Sequence, residues 1–248
     1  MNPPAIRLQH VDKRFGGGTL ALRGVSLAVG AGEFVSLLGP SGCGKSTVLR
    51  LVAGLERQST GTVDAPSADV AFVFQDAALM PWATVADNVR LPLTLARTPR
   101  DAATARVREA LSAVGLGSFA GSRPDQLSGG MKMRASIARA LVTRPRVLLM
   151  DEPFGALDDI TRQRLNQDLL ARWQAAPMAV LFVTHSVFEA VFLSQRVLVM
   201  SPRPGRVVAE VAIDEPHPRA PAFRTSASYL AACQRLTDAL AAAHEATA

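Results

Sequence analysis

The segment Gly39-Pro40-Ser41-Gly42-Cys43-Gly44-Lys45-Ser46-Thr47 has the spacing G-x-x-x-x-G-K followed by Ser or Thr. Glycines in such a loop let the backbone curl until several N–H groups face one anion. Lys45 then supplies a cation for the β- and γ-phosphates of a nucleoside triphosphate. The Ser46 hydroxyl supplies an oxygen ligand for Mg²⁺, an ion that prefers oxygen and keeps several waters. A second group with chemistry in it is Asp151-Glu152, placed directly after the apolar run Val147-Leu148-Leu149-Met150. Asp151 would approach Mg²⁺ directly or through water. Glu152 is the candidate general base that polarises an attacking water. Taken alone, the acid pair also fits a surface Asp-Glu that opens a loop.

These side chains need elements to hold them. The mostly apolar Phe34–Leu38 precedes the loop, and a helical stretch from Lys45 to Ala53 follows it and stops at Gly54. Strand, loop and helix in that order separate a phosphate loop from a chance glycine turn, and the helix N-terminus adds the positive end of its dipole. Val70–Phe74, Val147–Met150 and Ala179–Val183 are further short apolar runs separated by helical stretches. They predict a mostly parallel sheet covered on both faces, with the two acids at the carboxyl edge where ligands bind. Ile6–Gln9 and Val25–Val29 alternate as half-buried strands do, around a turn at Gly16-Gly17-Gly18. From about Thr84 to Ala140 the pattern is helical. Val107, Ala110, Leu111 and Val114 fall at helical spacing with Gly115 as a stop, which predicts a helical lobe inserted between two strands. Arg203-Pro204-Gly205 is a turn before a last strand, Val207–Ile213. A Pro-rich linker, Pro216–Pro221, and a final Ala- and Leu-rich helix over Ser226–Ala243 follow.

Of the 248 residues, 48% are apolar and 19% charged, which provides a substantial core and excludes a disordered chain. No run of about 18 apolar residues predicts a membrane span, and the first residues lack a secretory pattern. Two distant cysteines, Cys43 and Cys233, fit a reducing compartment better than a disulfide framework. The net charge of +6 is compatible with an arginine-rich surface, nucleic acid, anionic lipid or an anionic nucleotide. The basic residues are scattered, which weakens the nucleic-acid reading.

A phosphate loop alone fits kinases, GTPases and motors. Four more pieces narrow the choice: Gln75 at the end of an apolar strand, Leu127-Ser128-Gly129-Gly130-Met131 at a helix start, Gly155-Ala156-Leu157-Asp158 after the acid pair, and His185 after the strand Ala179–Val183. With these pieces in this order the chain resembles the ATP-binding-cassette ATPases over roughly Ile6 to Ile213. The resemblance implies an α/β fold: a P-loop NTPase (RecA-like) core with an antiparallel β subdomain and an inserted helical subdomain at about 84–140. Residues 6–213 would form the ATPase domain and 214–248 a C-terminal linker and helix.

It also implies roles. Two copies pair head to tail as a homodimer, and Ser128, Gly129 and Gly130 of one copy contact the γ-phosphate held by the other. Asp158 works at the dimer seam. Gln75 senses Mg²⁺ or the attacking water, and His185 holds the γ-phosphate. Phe15 stands where an aromatic stacks on adenine, although it could equally be core. Gly39, Pro40, Ser41, Gly42, Cys43, Gly44, Lys45, Ser46 and Thr47 surround ATP; alkylation of the Cys43 thiol is therefore expected to block ATP binding. Met133 and Ser186 depart from the family's common Gln and Asp, and the stretch Gly61–Ala71 is short, which suggests a trimmed β-arm.

Within the family, Leu79-Met80-Pro81-Trp82, Pro153-Phe154-Gly155 and Met200–Arg206 resemble importers of the nitrate, sulfonate and taurine group. That implies ATP hydrolysis coupled to transport, transmembrane permease subunits and a periplasmic or lipid-anchored solute-binding protein. It implies a place at the cytoplasmic face of the bacterial inner membrane and no nucleic-acid partner. Leu79, Met80 and Trp82 would either line a groove for a permease helix or pack core against lobe. The rival readings are a soluble cassette ATPase acting on nucleic acid or ribosomes, which usually has two cassettes or a long insertion, and a regulatory cassette without turnover. The presence of both Glu152 and His185 argues against the latter.

Overall fold

The computed structural model describes residues 3–66, 69–155 and 157–245; Ser67 and Ala68 of the short stretch 61–71, and Ala156 of the Gly155–Asp158 motif, lie outside the described residues. Its strands form two sheets. The smaller is antiparallel, in the order β2-β1-β4, from β1 (Ile6–Arg14), β2 (Leu20–Val29) and β4 (Thr60–Asp64). The larger has the order β5-β6-β7-β3-β8-β9. In it β3 (Phe34–Leu38), β5 (Val70–Val73), β6 (Val147–Asp151), β7 (Ala179–Thr184) and β8 (Arg196–Met200) run parallel, and β9 (Val207–Ala212) closes the edge antiparallel to β8. The predicted α/β core, antiparallel β sheet and inserted helices are all present. Two strands had escaped the sequence reading, β4 and β8.

Every residue of β3 and β7 is buried, because side chains that alternate across the strand meet a covered surface on either side. Phe34, Phe182 and Val180 enter one cluster with Phe154, Leu165, Trp173 and Phe192. Val35, Leu37, Leu181 and Val183 enter the other, with Val48 and Leu49. The first cluster lies under α5 (Asp159–Ala175), α6 (Val187–Leu193) and α7 (Ala227–Glu245). The second lies under α1 (Lys45–Val52) and the small sheet.

The inserted lobe contains α2 (Val85–Leu95), α3 (Arg100–Ala113) and α4 (Gly129–Leu141), packed around Val89, Leu93, Val107, Leu111 and Ala138. α4 has two buried sides. Ala135, Ala138 and the following Val142 face the lobe, whereas Met133, Ile137 and Ala140 enter the main core. Met133, which departs from the family's common glutamine, is therefore a packing residue only 5% exposed. The C-terminal segment also belongs to the main core, through Phe223, Tyr229, Ala232, Cys233 and Leu236.

This packing can be tested on one helix. Leu236 is 0% exposed and Leu230 is 57% exposed. Leu236→Ala is expected to lower stability by about 2–5 kcal/mol, and Leu230→Ala by less than about 0.5 kcal/mol. Chemical denaturation of the two variants measures the difference; equal effects would contradict the docking of α7.

Candidate active site

The strand order decides where the chemistry gathers. β3 and β6 both pair with β7 and run parallel to it, so the loops after all three emerge at one edge. The loop after β3 enters α1 through Gly44, whose φ of 105° is left-handed and which provides no side-chain cap. A Cβ there would lie 2.6 Å from Leu22 Cδ2 and 3.2 Å from the Ala21 carbonyl oxygen, so glycine is required twice over. The uncapped N–H groups of α1 remain available to an anion.

Lys45 is 4% exposed. Its Nζ donates to the carbonyls of Gly39 (2.8 Å) and Pro40 (3.0 Å) and lies 3.5 Å from Glu152 Oε1. The other carboxylate oxygen of Glu152 is 3.1 Å from His185 Nδ1. Glu152 itself is bent out of the strand direction, with φ 43°, while its N–H still donates to the Val183 carbonyl at 3.0 Å. A left-handed non-glycine residue is rare and clusters at functional sites; here it turns the carboxylate toward both Lys45 and His185. Beside this row, Ser46 Oγ donates to Asp151 Oδ1 at 2.9 Å. Burial pushes the Asp151 carboxyl up, against the opposing pull of the Ser46 hydrogen bond.

No group of three or more His, Cys, Asp or Glu side chains that could hold a metal occurs among the described residues. A hydroxyl and one carboxylate 2.9 Å apart still suit Mg²⁺, which takes most of its ligands from phosphates and water.

A cleft of about 520 Å³ opens over this edge, lined by Phe15, Ser41, Gly42, Lys45, Gln75 and Glu152 among others. Phe15 is thus a rim residue and not core; it is 38% exposed, with Lys13 Nζ 4.8 Å from its ring centroid. The chain leaving Gln75 is clamped to the lobe. Arg139 of α4 donates to the Ala77 (2.8 Å) and Ala78 (2.7 Å) carbonyls, and the buried Asn88 of α2 accepts from the Met80 N–H at 2.7 Å.

Ser128, Gly129, Gly130 and Asp158 stand apart from this cleft. Ser128 caps α4, accepting from the Met131 N–H at 3.3 Å. Gly129 and Gly130 lie at the tip of α4 against the start of α5; a Cβ on Gly130 would come within 2.8 Å of Thr161 Cγ2. Asp158 caps α5 by accepting from the Thr161 N–H at 2.9 Å, a bond that holds its carboxyl below the usual range. Cys43 requires a correction. Its side chain is 1% exposed and packs in the cluster with Leu22 and Met200, and burial pushes the thiol up. The thiol is turned into the core, so it is no ready target for alkylation, while the Cys43 backbone remains part of the phosphate loop.

Arg203 lines the cleft and was missed as a site residue. Its guanidinium donates to the Gly42 carbonyl through Nε (3.3 Å) and Nη2 (3.2 Å). The adjoining Gly205 presses on the phosphate loop: a Cβ there would lie 2.0 Å from the Cys43 carbonyl oxygen. The reason is topological. β8 lies beside β3, so the turn after β8 lands beside the loop after β3. Once β8 is overlooked, the motif Arg203-Pro204-Gly205 reads only as a turn.

A glycine-built loop between strand and uncapped helix, a buried lysine on it and two acids at the end of β6, across β7 from that loop, define a P-loop nucleoside triphosphatase. The family model for "ABC transporter" matches residues 22–155. A taurine import ATP-binding protein of Burkholderia pseudomallei is 48% identical over 205 residues, covering 80% of this chain and 79% of that one. An aliphatic sulfonates import ATP-binding protein of Pseudomonas syringae is 48% identical over 216 residues, covering 86% and 87%. Among solved structures, the dimeric post-hydrolysis cassette MJ0796 bound to ADP and Pi superposes with a TM-score of 0.74 at 32% identity, covering 85% of this chain and 99% of that one. The chain belongs to the ABC transporter family, as an ATP-hydrolysing, nucleotide-binding subunit.

The contact between Gly205 and Cys43 generates a prediction. Gly205→Ala is expected to displace the phosphate loop and weaken ATP binding about tenfold or more, a change of at least about 1.4 kcal/mol. Titration with a fluorescent ATP analogue reads this out; wild-type affinity in a folded variant would show that the contact is dispensable.

Proposed function

We propose that this subunit powers a bacterial importer of a small solute such as nitrate, a sulfonate or taurine. The observation that carries the reading is the row Lys45–Glu152–His185 beside Ser46–Asp151, in a chain related at 48% identity to import subunits for those solutes. ATP would lie in the cleft with adenine on Phe15 and phosphates over Gly39–Thr47. Ser46 and Asp151 would hold Mg²⁺, with Gln75 nearby. Bound there, the ion would neutralise phosphate charge.

Lys45 is engaged with two carbonyls and near Glu152. A γ-phosphate arriving at Lys45 would draw the ammonium toward itself and release Glu152 from its neighbour. Glu152 would then take the proton of an attacking water, and His185 would hold the γ-phosphate. Because Ser128, Gly129 and Gly130 stand outside this copy's cleft, they are offered to the nucleotide of a second copy. Their reading as a phosphate contact rests on a helix tip with small residues and free N–H groups. The dimeric state of the related cassette agrees with this arrangement.

No helix among the described residues is long and apolar enough to cross a membrane. In this reading membrane work falls to permease subunits, with this chain at the cytoplasmic face and a solute-binding protein on the far side. Trp82 is 73% exposed, on a loop tied to the lobe through Asn88, while the neighbouring Leu79 packs into the lobe cluster. This suits Trp82 to a permease helix.

Two outcomes are expected. Glu152→Gln retains ATP binding, accumulates an ATP-bound dimer on size exclusion and loses turnover; near-normal phosphate release would mean that the base is another group. Trp82→Ala lowers solute uptake in proteoliposomes with permease and binding protein at least about tenfold more than it lowers basal ATPase activity, and parallel loss of the two would exclude a coupling role.

A further inference from the structure

The C-terminal segment has no part in the chemistry described so far, yet its polar groups converge on α6, the helix that follows His185. Arg219 is 5% exposed. Its Nη1 donates to the carbonyls of Val191 (2.8 Å) and Phe192 (3.1 Å) in the last turn of α6 and of the C-cap residue Ser194 (2.9 Å). A guanidinium there satisfies carbonyls that a helix end leaves unpaired and places positive charge at the negative end of the dipole. Tyr229 of α7 donates its hydroxyl to the Phe188 carbonyl at 2.9 Å. The Arg224 guanidinium stacks 3.7 Å from the centroid of Phe192. The tail thus grips α6 at both ends.

The start of α6 is tied in turn to the residues on either side of His185. Ser186 caps the helix, accepting from the Glu189 N–H at 3.3 Å. In the usual capping box, the acid three residues on would return to the cap residue's N–H. Here a hydroxyl stands between them: the Ser186 N–H donates to Thr184 Oγ1 (3.0 Å), and that hydroxyl donates to Glu189 Oε2 (2.5 Å). Glu189 is 6% exposed and has Arg162 Nε 3.8 Å from its other oxygen. Thr184 and Ser186 are both fixed by this ring, and the residue between them is His185, whose own side chain is 54% exposed.

We propose that Glu189 and Tyr229 are positioning residues: the C-terminal segment braces α6, and the Thr184–Ser186–Glu189 ring hands that rigidity to the imidazole facing Glu152. The inference rests on His185 serving ATP hydrolysis. It makes α7 a point through which anything bound to the tail would alter turnover without touching the nucleotide.

The test is a double-mutant cycle on the full chain. Glu189→Gln keeps the shape of the side chain and removes its charge; Tyr229→Phe removes one hydroxyl. Each is expected to lower kcat about 5- to 20-fold while ATP affinity stays within about twofold, and in a His185→Ala background neither is expected to lower kcat further. The His185 imidazole resonance in NMR should shift in both variants while that of His10 stays in place. If His185→Ala itself turns over ATP normally, the assignment of His185 falls, and this inference with it. If His185→Ala is impaired but the two variants keep wild-type kcat and an unmoved His185 resonance, or their losses multiply with that of His185→Ala, the brace is refuted and the site reading stands.

Discussion

A single buried ammonium organises the catalytic edge. Lys45 can be dry only because two carbonyls and the Glu152 carboxylate surround it; an unpaired charge at that depth would cost several kcal/mol. Each partner comes from a different constraint. The carbonyls require the phosphate loop to curl, which requires glycine where φ is left-handed. The carboxylate requires β6 to end level with β3, which requires both to register on β7. The site is therefore a property of the whole parallel sheet, and in the proposed reading a triphosphate would bind by replacing partners that the lysine already has.

Much of this was legible in residue order. The β3 boundaries Phe34–Leu38 are those of its apolar run, and β6 and β7 extend one residue beyond theirs, because strands buried on both faces read as unbroken apolar runs. The parts that escaped have physical reasons. All but one residue of β4 is exposed and it lacks alternation, so nothing in its composition marks a strand. β8 is apolar, but the sequence reading assigned its residues to no element and marked only the turn at Arg203-Pro204-Gly205 beyond it. Its loss hid the return of Arg203 to the phosphate loop, since neighbours in a sheet are not neighbours in sequence.

The candidate residues divide along the same line. Lys45, Ser46, Asp151, Glu152 and His185 are local to strand ends, and the fold gathers them. Ser128, Gly129, Gly130 and Asp158 occupy helix tips, where capping accounts for their types equally well. Spacing could identify these tips but not say what they face. Cys43 is the reverse case: its position in the loop was plain, and the direction of its side chain, set by packing against Met200 and Leu22, was not.

α4 bears its glycine-rich tip at one end while its flanks are embedded in two different hydrophobic assemblies, Ala135 and Ala138 in one, Met133 and Ile137 in the other. A rod seated in two sockets can neither spin nor slide without emptying one of them, and close-packed interiors resist that. Any tilting of the inserted helices relative to the sheet therefore has to loosen this rod from one cluster or the other.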